Sequence, residues 1–155
     1  MDYAVIMAGG TGKRLWPLSR QDRPKQVLKL INGQTLLRHC YQRLSPIFKN
    51  PNILVLTSGN YIDTVRNELP ELPPENVIAE PAVRDTAGAI GLAAAVLNKK
   101  DPEAAMAVVT ADQMIEPAEV LQTAIKNALN FLKTNTNAHI TFGIRPDRPA
   151  TGFGY

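Results

Sequence analysis

The sequence has a single cysteine, Cys40, among 155 residues. One thiol cannot close an internal disulfide, so a secreted, disulfide-stapled scaffold is excluded. No apolar run is long enough to span a bilayer. No basic segment with an apolar core precedes a small-residue cleavage site near the start. The expectation is a cytoplasmic protein with no membrane partner. Neither sign of charge dominates, since 17 basic and 14 acidic residues leave a net +3. The basic residues form no long run, which argues against a nucleic-acid partner. Only two histidines are present, His39 and His139, and they share no ligand spacing with Cys40, so a zinc centre or a Cys/His catalytic pair is not expected. Internal repeats and low-complexity tracts are also missing.

What the chain does have is apolar content, 45% of its residues, enough to bury a core in one domain. Short apolar runs alternate with longer amphipathic stretches. The runs at 3–7 (YAVIM), 53–56 (ILVL), 76–79 (NVIA), 106–109 (MAVV) and 139–142 (HITF) read as five strands. Most are continuously apolar, as expected of strands covered on both faces. Helical spacing marks 34–44, 61–69, 86–97 and 117–132, the last opening on Pro117, which suits a first helical turn. Strand–helix alternation predicts an α/β fold with a mainly parallel sheet, and right-handed crossovers put helices on both of its faces.

The densest chemical signal follows the first strand directly. Ala8-Gly-Gly-Thr-Gly-Lys-Arg-Leu-Trp-Pro-Leu-Ser-Arg20 joins a glycine-rich turn to a basic flank, with Lys13, Arg14, Arg20, Arg23 and Lys25 crowded into the first 25 positions. In open α/β sheets ligands bind beyond the carboxyl ends of the strands. Gly9, Gly10 and Gly12 let the backbone approach a ligand closely, and exposed N–H groups there make an anion nest. Arg14 and Lys25 can neutralise phosphate. Two familiar phosphate loops do not fit. Met7 stands where a Walker A loop needs glycine and Arg14 where it needs Ser or Thr. Leu15 occupies the third glycine position of a dinucleotide fingerprint.

The extended string Gly9-Gly-Thr-Gly-Lys-Arg-Leu-Trp-Pro-Leu-Ser-Arg20, with Pro24-Lys-Gln26 after it, resembles the signature of sugar-1-phosphate nucleotidylyltransferases, in particular the bacterial mannose-1-phosphate guanylyltransferase branch. Three later segments extend the likeness. Glu80-Pro-Ala-Val-Arg-Asp-Thr-Ala87 is similar to the family's Glu-Pro-x-x-Arg-Asn-Thr-Ala, with Asp85 where the family more often has Asn. Thr110-Ala-Asp-Gln-Met-Ile115 is similar to Pro-Ala-Asp-His-x-Ile, with Thr110 and Gln113 as departures. The stretch from Arg145 to Tyr155 is similar to Pro-x-x-Thr-Gly-Tyr-Gly-Tyr, with Phe153 in place of tyrosine.

The resemblance implies a three-layer, Rossmann-like nucleotide-diphospho-sugar transferase fold and the transfer of GMP from GTP to mannose-1-phosphate, with Mg²⁺. The loop Ala8, Gly9, Gly10, Thr11 and Gly12 would wrap the triphosphate. Arg14 matches the arginine that stabilises the leaving pyrophosphate, and Lys25 the lysine at the reacting centre. Trp16 and Leu18 read as packing residues. Glu80, Arg84 and Thr86 would hold nucleotide, Glu80 by accepting from N1–H and the exocyclic amine of guanine, a pair that adenine lacks. Asp85 or Thr86 can equally cap the helix that follows. Asp112 matches the Mg²⁺ aspartate, and Gly152 would let the sugar approach the backbone. The family's chain continues past the equivalent of Tyr155, so residues 1–155 read as the nucleotide-binding portion of a truncated domain. A nucleotidylyltransferase for another base or sugar, and a catalytically inactive nucleotide-binding or regulatory module, remain as alternatives. Homo-oligomers are compatible with the sequence.

Overall fold

A computed structural model describes residues 1–9, 17–19, 27–82, 84–145 and 148–149. In chain order its elements are β1 (Asp2–Met7), β2 (Lys29–Ile31), β3 (Gln34–Thr35), α1 (Leu36–Leu44), β4 (Ile53–Ser58), α2 (Ile62–Glu68), β5 (Val77–Glu80), α3 (Asp85–Lys100), β6 (Ala105–Thr110) and α4 (Ala118–Leu132). Four of the five apolar runs pair in one parallel sheet, ordered β5-β4-β1-β6.

The continuous apolar runs follow from packing on both sides. Ala4, Ile6, Ile53 and Val55 join Leu37, Cys40 and Leu44 of α1, Val65 of α2, and Ile125 and Leu129 of α4 in one buried cluster. The intervening residues Tyr3, Val5, Leu54 and Leu56 join Ala89, Ala93 and Leu97 of α3 in a second cluster. Adjacent strand residues point to opposite faces, so both sets must be apolar, and the fold has three layers. Ile6 and Leu37 are fully buried, and each contributes about 1.5–3 kcal/mol by leaving water. The alanines of α3 at i and i+4 keep its buried face flat against the sheet.

The strand order contains one reversal. From β1 the chain crosses to β4 and then β5 on one side, then returns through α3 to β6 on the other side of β1. The switch point therefore lies between the carboxyl ends of β1 and β6, where open sheets of this kind bind ligands.

Several expectations need correction. The run at 139–142 forms no strand, and Phe142 and Ile144 are exposed. A strand needs a neighbouring edge for its backbone N–H and C=O groups, and none among the described residues meets this segment. The helix expected from 34 starts at Leu36, because Gln34 and Thr35 pair with β2 in a short hairpin. Its signal was readable in Asn32-Gly33: both residues have positive φ (48° and 74°), as a type I′ turn requires. Pro117 is the N-cap of α4 rather than its first residue. Leu18, expected to pack, is 59% exposed.

Candidate functional site

The glycine-rich loop is launched from a fixed point. Ala8 is buried, and its N–H donates to the Leu56 carbonyl at 2.8 Å. The hydroxyl of Thr57, fully buried at the end of β4, donates to the Ala8 carbonyl at 3.3 Å. These two bonds draw the chain leaving β1 toward β4, and so toward β5 beyond it. Thr57 was not singled out from the sequence. It occupies the position after a continuous apolar run, and nothing local says that its hydroxyl meets a residue 49 positions earlier.

Glu80, the last residue of β5, meets that loop. Its Oε1 lies 2.5 Å from where a Cβ on Gly9 would stand. Only glycine admits the carboxylate at this distance, so Gly9 acts here through its missing side chain. Partial burial pushes the Glu80 carboxyl above the ordinary glutamate range, as desolvation does to an acidic group. A half-buried carboxylate beside Gly9 suits a partner that supplies N–H donors.

Beyond Glu80 the chain turns into α3. Arg84 is its N-cap and makes no side-chain capping bond. Neither alternative offered for Asp85 and Thr86 as caps is realised. Asp85 instead takes a positive φ of 55°, a left-handed conformation that Asp and Asn tolerate better than most residues. Arg84 and Thr86 are both exposed, on either side of this bend. A Cβ at Gly88 would come within 2.5 Å of the Arg84 Cβ, so Gly88 makes room for the first turn of α3.

On the other side of the switch point, the Ala111 N–H donates to the Met7 carbonyl at 3.0 Å, which continues the β1–β6 pairing one residue further. Asp112 follows at once and is exposed. Carried two residues past Met7 and Thr110, this register puts it level with Gly9, across the crevice between β1 and β6. Beneath it, Arg43 of α1 donates from Nη2 to the Gln113 carbonyl at 2.7 Å. Arg43 was also missed in the sequence. Its signal was there, since it stands three residues after Cys40 and seven after Leu36, on the helix face that is otherwise apolar. The Cys40 thiol is pushed up to about 11, chiefly by burial, with the Arg43 cation opposing. It stays protonated at neutral pH and is no nucleophile.

The structure thus brings Ala8, Gly9, Glu80 and Asp112 to the carboxyl end of the sheet, with Arg84 and Thr86 at the start of α3. Gly10, Thr11, Gly12, Arg14, Lys25 and Gly152 lie outside the described residues.

Among known proteins, the chain is 40% identical over 158 residues to mannose-1-phosphate guanylyltransferase of Escherichia coli K12, covering 99% of this chain and 32% of that protein. It is also 40% identical over 157 residues to mannose-1-phosphate guanylyltransferase ManC of Salmonella typhimurium, again covering 99% of this chain and 32% of the relative. The chain spans about a third of the length of these relatives. Among solved structures, it matches that of mannose-1-phosphate geranyltransferase from Thermus thermophilus with a TM-score of 0.75 and 36% identity, over 85% of this chain and 38% of the other. The family model for nucleotidyl transferases matches residues 3–155. With one parallel sheet packed between helices on both faces, the chain belongs to the nucleotidyl transferase family.

Proposed function

We propose that the intact protein transfers GMP from GTP to mannose-1-phosphate, giving GDP-mannose and pyrophosphate. The observation that carries this reading is the contact of Glu80 with Gly9: a carboxylate suited to the N1–H and amine of guanine, held against a turn suited to phosphate. The relatives' names supply the sugar.

A phosphate oxygen of mannose-1-phosphate attacks the α-phosphorus of GTP in line. A new P–O bond forms as the bond to the β-phosphate breaks, and pyrophosphate leaves with that bond's electron pair. The reaction needs no protein nucleophile. Catalysis rests on positioning and on charge placed where it develops. In this reading Arg14 meets the departing pyrophosphate and Lys25 the oxygens at the reacting phosphorus. Ala8, Gly9, Gly10, Thr11 and Gly12 hold the triphosphate. Arg84 and Thr86 flank the nucleotide, and Gly152 admits the sugar.

Asp112 is the residue that would hold a divalent cation, which we read as Mg²⁺. Among the described residues no group of three His, Cys, Asp or Glu forms a cage. One exposed carboxylate beside a phosphate loop does suit Mg²⁺, which keeps several waters and takes its remaining ligands from phosphate oxygens. Bound there, the ion would neutralise phosphate charge. No helix among the described residues is long and apolar enough to cross a membrane. A cytoplasmic location belongs to the same reading.

Pyrophosphate release is the test, measured on the intact protein with GTP and mannose-1-phosphate, then with ATP or other hexose phosphates. Efficient turnover is expected with the first pair alone. Equal turnover with ATP would reassign the base. GTP binding in a calorimeter without pyrophosphate release would make the protein a nucleotide-binding or regulatory module. Lys25→Ala should lower kcat by about 10²–10³, the usual loss for one transition-state charge contact. Near-normal turnover of that variant would remove Lys25 from the chemistry.

A further inference from the structure

Arg43 is a charged group that this mechanism does not use. It is 7% exposed, and it forms no ion pair with a carboxylate among the described residues. Its Nε is buried with no hydrogen-bond partner among the described residues. Burying a guanidinium in this way is costly, and a leucine on the same helix face would avoid that cost. What the guanidinium does make is the bond from Nη2 to the Gln113 carbonyl, at 2.7 Å.

That bond has a counterpart one helical turn away. The Cys40 thiol donates to the Thr110 carbonyl at 3.7 Å. Cys40 and Arg43 are i and i+3 neighbours on α1, and their two acceptors lie on either side of Asp112. The β1–β6 pairing ends at Ala111, so from Asp112 onward the chain no longer has ladder bonds to hold it. The C-terminal turn of α1 is itself anchored: Gln122 of α4 donates from Nε2 to the Arg43 carbonyl at 3.0 Å. Two helices and the sheet therefore meet at the short segment that presents the carboxylate.

We infer that Arg43 is a positioning residue for Asp112, holding the chain on its C-terminal side so that the carboxylate meets a divalent cation at the proper distance. The inference rests on the reading of Asp112 as the cation ligand. Mg²⁺ demands near-ideal geometry with short bonds to oxygen, and partners behind a metal ligand commonly matter 10–100-fold for affinity or activity. A carbonyl held by a cation is a firmer anchor than one held by a thiol, so the larger effect belongs to Arg43 and the smaller to Cys40.

The experiment titrates Mn²⁺ into the intact protein in the presence of GTP, follows binding by electron paramagnetic resonance, and pairs this with kcat and KM. Arg43→Met should weaken Mn²⁺ binding by roughly 10-fold or more and lower kcat, with the KM for GTP little changed. Arg43→Lys, which keeps a charged donor, should recover most of the loss. Asp112→Asn is the reference and should weaken Mn²⁺ at least as much. If Asp112→Asn weakens the ion and Arg43→Met leaves it within twofold of the parent, the positioning role is wrong and the reading of Asp112 stands. If Asp112→Asn also binds Mn²⁺ like the parent, the cation reading itself fails and Arg43 loses this role with it. Should Arg43→Met not fold, Arg43→Leu carries the same comparison, because it too removes every donor to the Gln113 carbonyl.

Discussion

Replacing Gly9 with alanine separates recognition from stability at one position. The added Cβ would stand 2.5 Å from Glu80 Oε1, about 0.9 Å inside the 3.4 Å at which ordinary contact begins. The next nearest atom, Glu80 Cδ, is at 3.7 Å and already clear. The clash is thus with the tip of a flexible side chain, and a torsion of the Glu80 side chain relieves it for about 0.5–1.5 kcal/mol. Gly9 has no positive φ, so alanine is allowed there and also restrains the unfolded chain, which returns about 0.4–1 kcal/mol. The net change in stability should be under about 1 kcal/mol, a shift of Tm by roughly 2–4 °C at most for a chain of this size. The cost should fall on guanine instead. A carboxylate moved by most of an ångström loses at least one charge-assisted hydrogen bond, worth about 2 kcal/mol, or roughly 30-fold in affinity. The assay is calorimetric Kd for GTP and for ATP on the intact protein, with Tm alongside. GTP should weaken about 30-fold by this reckoning and ATP hardly at all, since adenine makes no use of Glu80. An equal loss for both nucleotides would show that the methyl group disturbs the phosphate turn and not Glu80. A large fall in Tm with GTP preference intact would show that Glu80 does not yield. Either result refutes the argument.

Two further outcomes follow from the same geometry. The Glu80 carboxyl is raised above 4.5 by desolvation, so between that value and the raised one the folded chain holds a proton the unfolded chain has released. Stability must therefore fall as pH rises through this window. Glu80→Gln should melt higher than the parent at neutral pH, with the difference closing as pH drops below the ordinary carboxylate range; a difference that is constant with pH would mean the carboxyl is not desolvated. Asn76 is buried, and its Nδ2 reaches the carbonyls of Ile53 at 2.9 Å, Pro51 at 3.0 Å and Asn50 at 3.3 Å. Asn76→Ala should cost about 2 kcal/mol in urea unfolding by stranding these acceptors, and Asn76→Asp more, because it faces them with another acceptor; a loss under about 0.5 kcal/mol would place water there instead.

Much of this protein is written locally. Continuous apolar runs favour strands covered on two sides, and four of the five are; α1 to α4 follow spacings that repeat within a few residues, and the turn at Asn32-Gly33 has its own two-residue signature. Chemical type is local as well, which is why Gly9, Glu80 and Asp112 stand out before any fold is known. Position is not. That Glu80 meets Gly9 across 71 residues of chain, that Thr57 pins Ala8, and that Arg43 reaches beneath Asp112 all depend on which strands become neighbours. Strand order is a property of the assembled sheet, because backbone hydrogen bonds and face-to-face packing are settled between segments distant in sequence. The run at 139–142 makes the same point in reverse: it carries the composition of a strand, yet it pairs with nothing among the described residues, since composition offers an edge and only a neighbour can accept it.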